Sequence, residues 1–157
     1  MSISGRLAKA GALIVALLAA SVVVTPVASA ATTTSTNCYR RSPDYGWECD
    51  YTSGSEIASL VVSQDSSGYV VAWISIYTGG GIHSLKGVVD LQQCDGLGHN
   101  CGDVAATSKS ATTDFINVQP SHGKFYSFGH TYKALGSAQD FTTNWNVLGQ
   151  STPLIAN

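Results

Sequence analysis

The run Tyr69-Val70-Val71-Ala72-Trp73-Ile74-Ser75-Ile76-Tyr77-Thr78 alternates with a period of two. Successive side chains of a strand point to opposite faces, so this run reads as one strand with two different faces. Its even positions Val70, Ala72, Ile74 and Ile76 are aliphatic, and its odd positions Tyr69, Val71, Trp73 and Tyr77 are rich in aromatics. A strand apolar on both faces belongs in the middle of a sheet. Upstream, Ile57 to Ser63 puts Ala58, Leu60 and Val62 on one face, and the polar cluster 64–68 turns the chain between the two runs. Downstream, Gly79-Gly80-Gly81 ends the alternation.

The same period continues outward along the chain. Leu85 to Gln93 sends Leu85, Val89 and Leu91 inward, with Lys86, Asp90 and Gln92 outward. A return strand follows through Val104 to Ser108, then a short one over Asp114 to Gln119. Lys124 to Leu135 is expected as a single strand with Tyr126, Phe128, His130 and Tyr132 on one face. Phe141, Trp145 and Val147 mark the last strand. No stretch sustains a 3.6-residue apolar period. Six to eight short strands joined by Gly, Ser and Asp turns predict an all-β, antiparallel sandwich of jelly-roll or immunoglobulin-like type.

The 157 residues amount to one domain. At the N-terminus, Arg6 and Lys9 precede an uncharged apolar run from Ala10 to Val24, then Pro26 and the small-x-small triplet Ala28-Ser29-Ala30. This is the pattern of a secretory signal peptide over residues 1–30. The run is short for a membrane span, and no second one follows. Losing two cations and no acid with the leader takes the formal charge from −2 to −4. A mildly acidic domain without a cationic run is a poor ligand for nucleic acid or for an anionic membrane. The protein is therefore expected to be secreted. Residues 31–37 are too polar to fold alone and are expected as a flexible tail. A disulfide-closed segment, 38–56, and the sandwich, 57–157, follow.

Export governs the reading of the four cysteines. In an oxidising compartment they are expected to pair, and spacing favours Cys38–Cys49 and Cys94–Cys101, each bracketing turn formers. Zinc at Cys94, His99 and Cys101 fits no common ligand spacing. Asp95, Asn100 and Asp103 could offer oxygens to calcium, although a disulfide-closed turn explains them equally well. Among the histidines, His130 is expected to be a hydrogen-bonded core residue, and His83 and His99 are expected to be solvent-exposed in glycine-rich loops. No nucleophile elbow and no His-Glu-x-x-His motif is present. The expectation is a protein that is not an enzyme and that needs no cofactor or metal.

The segment Cys38 to Cys49 holds Tyr39, Arg40, Arg41, Tyr45 and Trp47 within twelve residues. Tyr, Trp and Arg dominate binding hot spots, and a disulfide would lower the cost of ordering them. These five are the candidate partner-binding residues. In the alternative, Tyr45 and Trp47 cap the sandwich while the arginines pair with Asp44 and Glu48. Tyr69, Trp73 and Tyr77 share a strand face and could stack on sugar, or lie under a second sheet.

The alanine-rich leader, the polar tail, and the Cys38–Cys49 segment ahead of a small disulfide-stapled β-domain resemble small secreted actinobacterial proteins. In layout the chain is similar to the adaptor subunits of umbrella toxin particles. That resemblance implies a non-catalytic adaptor whose N-terminal region engages a lectin-like subunit and whose body docks on a larger toxin subunit. Secreted protease or enzyme inhibitors and carbohydrate-binding modules are the alternatives.

Overall fold

The computed structural model of the protein describes residues 35–42 and 45–155. The expected leader 1–30, the start of the expected tail at 31–34, and Pro43 and Asp44 lie outside the described residues. Ten strands follow in chain order: β1 (Ser35–Arg41), β2 (Tyr45–Ser53), β3 (Glu56–Gln64), β4 (Tyr69–Tyr77), β5 (His83–Asp95), β6 (Gly102–Thr113), β7 (Phe115–Val118), β8 (Lys124–Phe125), β9 (His130–Asp140) and β10 (Trp145–Ser151). Every pairing is antiparallel, and no helix occurs among the described residues. One sheet has the order β1-β2-β3-β4-β7, with β8 also paired to β4. The other has the order β10-β9-β5-β6.

The core forms where β3 and β4 lie across β9 and β5. The even residues of β4 are at most 1% exposed, as their alternation requires. Ala58, Leu60 and Val62 of β3 and Leu85, Val89 and Leu91 of β5 complete the centre. The two sheets meet because large side chains on one face small ones on the other. A Cβ built on Gly136 would come within 2.5 Å of Leu60 Cδ1, and one on Gly87 within 2.6 Å of Val118 Cγ2. Burial of this apolar surface is the main stabilising contribution, at roughly 25 cal/mol per Å².

The odd face of β4 is not under a second sheet. Val71 and Trp73 are half-buried, and Tyr69 and Tyr77 remain 45% and 43% exposed.

Three expectations need correction. The segment 38–56 is not a unit ahead of the sandwich, because β2 pairs with β3 from Tyr45↔Gln64 to Ser53↔Glu56. Strand β1 begins at Ser35, so Ser35, Thr36 and Asn37 of the expected tail are paired to Thr52, Tyr51 and Asp50. A polar strand too weak to fold alone is held by its neighbour's backbone donors and acceptors. The expected single strand over 124–135 is instead split into β8 and β9. Gly129 adopts φ +79° in the turn between them, and Phe128 projects outward at 94% exposure. The shared face of Tyr126, Phe128, His130 and Tyr132 therefore does not exist.

Candidate functional site

The cysteines pair as Cys38–Cys49 and Cys94–Cys101. The first bond joins residues directly opposite each other on β1 and β2, so it staples a hairpin and does not close an irregular loop. Among the described residues strand β1 pairs only with β2, and no other strand covers its outer edge. Ser35 to Arg40 are exposed at every position. The inner face of β2 still reaches the core through Cys49 and Tyr51, whereas β1 lies beyond the facing sheet.

The alternation of the hairpin divides the five candidate residues between two faces. Arg40 is directly opposite Trp47, and its guanidinium stands 5.4 Å from the centre of the indole ring. Trp47 is half-buried and packs on the edge of the core. Tyr45 has the same strand parity and is 75% exposed. These three residues line a shallow recess with Gly46, Leu154 and Ile155. Tyr39 and Arg41 occupy the opposite face. Arg41 Nη1 lies 3.6 Å from Glu48 Oε2, and its guanidinium covers the Trp73 ring at 4.9 Å. Tyr39 donates from its hydroxyl to Asp50 Oδ2 at 3.1 Å, and Ser59 donates to Asp50 Oδ1. Burial, then the Asp50 and Glu48 carboxylates, push the Tyr39 phenol up to about 12.

The structure thus brings together Arg40, Tyr45 and Trp47, and separates them from Tyr39 and Arg41. Both capping expectations hold in part: Trp47 packs on the core, and Arg41 pairs with Glu48. Arg41 also occupies the exposed side of Trp73, so Tyr69, Trp73 and Tyr77 do not form an open stacking platform.

At the second disulfide, Asp95 organises its own loop. Oδ1 accepts from the backbone of Leu97 and His99 at 3.0 and 2.8 Å, and Oδ2 accepts from Asn100 Nδ2 at 2.8 Å. The His99 N–H bond leads the interactions that hold this carboxyl below the usual range. Its oxygens are committed to the turn, and the Cys94–Cys101 bond removes both thiolates from any zinc set. His130 is half-buried, with Nδ1 hydrogen-bonded to the Cys94 carbonyl at 3.0 Å.

The expectation that His83 is solvent-exposed in a glycine-rich loop is corrected, because His83 opens β5. It is half-buried, with Nδ1 hydrogen-bonded to Asp140 Oδ2, and Glu56 lies beside both. The β5–β9 register, with Leu85 opposite Asp140, brings together residues 57 apart in sequence. No local motif could have signalled that contact.

No protein-family model, no curated protein and no solved structure matches the chain.

Proposed function

We propose that the protein is a secreted, non-catalytic adaptor that docks other secreted proteins through the β1–β2 hairpin. One observation carries this reading: β1 is an edge strand exposed on both faces, and beside it lies the recess with Arg40, Tyr45 and Trp47. A free edge offers unpaired backbone donors and acceptors to an extended partner segment, and the side chains add selectivity. The disulfide keeps the hairpin ordered before binding, which lowers the entropy cost. Two disulfides are compatible with an extracellular protein, and among the described residues no helix is long and apolar enough to cross a membrane. The sequence-level resemblance extends the proposal to a toxin complex, in which the adaptor links a lectin-like subunit to a larger toxin subunit.

Pull-down of the tagged protein from its own culture supernatant tests this reading, with mass spectrometry of what is retained. The wild type is expected to retain a lectin-like protein and a larger secreted chain. A variant carrying Arg40→Ala and Tyr45→Ala, both at surface positions, is expected to retain at least tenfold less at an unchanged melting temperature. Equal retention by the two would remove the hairpin as the contact surface.

A further inference from the structure

Three strand ends meet at one end of the sandwich: Glu56 opens β3, His83 opens β5 and Asp140 closes β9. Glu56 is 7% exposed and Asp140 is 1% exposed. Among the described residues no Lys or Arg forms an ion pair with either acid, and His83 is the only basic partner. Two carboxylates this far from water, side by side, cannot both stay charged without a neutralising partner. A protonated His83, a shared proton or a bound cation can each supply it.

We infer that Glu56, His83 and Asp140 form a binding site for a divalent transition-metal cation of the zinc type. The potential ligand atoms, one from each residue, lie within 4.8 Å of one another. A tetrahedral zinc with bonds of about 2.0–2.1 Å holds its ligands roughly 3.3–3.5 Å apart, so small side-chain adjustments suffice. The donor set of one imidazole nitrogen and two carboxylates favours zinc-type ions over calcium or magnesium, which take oxygen shells. Surrounding groups fix the acids in place. Asp140 Oδ1 accepts from Thr142 N at 2.8 Å, and Thr143 Oγ1 donates to Glu56 Oε1 at 2.5 Å. Such outer contacts orient metal ligands and are a large part of their affinity. Access exists at His83, whose side chain is 18% exposed. The ring lies against Gly81, where a Cβ would come within 2.6 Å of Nε2, so the absence of a side chain there lets the ring sit with Nδ1 toward the acids. Three protein ligands leave a fourth position for water, or for a donor from a partner protein. The inference is independent of the docking role of the hairpin, which lies on other strands.

Calorimetric titration of the chelator-treated protein with zinc chloride tests this site. One equivalent is expected to bind at micromolar or lower concentration and to raise the melting temperature. Glu56→Gln and His83→Ala are each expected to weaken binding at least tenfold, with circular dichroism confirming the fold. Should a variant fail to fold, the histidine ring resonances of the wild type decide the matter. Those of His83 are expected to shift on zinc addition, while those of His99, His122 and His130 stay in place. No binding by the folded wild type at 100-fold molar excess of zinc, or shifts confined to the other histidines, would overturn the site.

Discussion

Two residues carry predictions at the scale of single side chains. Asp90 lies on the outward face of β5, and its Oδ1 is buried without a hydrogen-bond partner among the described residues. Burial first, then hydrogen bonding to and repulsion from Asp103, push its carboxyl up to about 7. A carboxyl raised from 3.8 in the folded state binds its proton more tightly there than in the unfolded chain. Its stabilising contribution is complete below the unfolded value and is lost as pH rises through about 7. Asp90→Asn is therefore expected to raise the melting temperature at pH 8 and to flatten its decline between pH 5 and 8. An unchanged slope in thermal melts would contradict this. Trp47 supplies the second prediction. It is half-buried against the core, so Trp47→Ala is expected to cost about 1–3 kcal/mol of stability in denaturant titrations, less than a fully buried tryptophan would. Binding should fall by more than this unfolding explains if the recess is the docking surface. These roles follow from burial, which the identities of Asp90 and Trp47 do not reveal. Trp47 is legible in the sequence as a hot-spot type, but the sequence is silent on which face it shares.

Composition marks out the β1–β2 hairpin in the sequence, but its five candidate residues do not share one face. In a strand, neighbouring residues face opposite ways, so Tyr39 and Arg41 join Asp50, Glu48 and Trp73, while Arg40 joins Trp47. Strand character was hard to see because Ser35-Thr36-Asn37 carries no apolar alternation; it is imposed by the β2 backbone. The disulfide should matter most here. A bond closing 11 residues stabilises by roughly 2.8 kcal/mol in the chain-entropy account. Replacing Cys38 and Cys49 together with serine is expected to release β1 first. Amide hydrogen exchange should show protection lost in residues 35–41 and retained in β4 and β5. Uniform loss across all strands would show that the hairpin is part of the cooperative core.

At the scale of the whole molecule, sheet spacing is set by size complementarity at Gly87, Ala134, Gly136 and Ala138 against Leu60, Ile74 and Val118. Gly136→Val is expected to force the sheets apart, or Leu60 off its rotamer, at about 1–3 kcal/mol. Urea denaturation would measure it, and an effect below 0.5 kcal/mol would show slack that this interface is not expected to have. The same sheet-on-sheet packing places the acidic cluster: Glu56 comes from one sheet, and His83 and Asp140 from the other.

Local pattern was enough for the two-sheet β architecture, for β4 as a strand within its sheet, and for the inward faces of β3, β4 and β5, because period-two alternation is written in neighbouring residues. It was also enough for the cysteine pairing, where each bond spans a short turn. Other features depended on contacts between residues far apart in sequence. The break between β8 and β9 needed the backbone of Gly129. The two-sided character of the hairpin needed the registers of β1, β2 and β3. The meeting of Glu56, His83 and Asp140 needed β5 and β9 to pair in one register and the sheets to stack at one spacing. Strand register and sheet stacking are collective outcomes of burying the core, and no window of sequence around any one of these residues contains them.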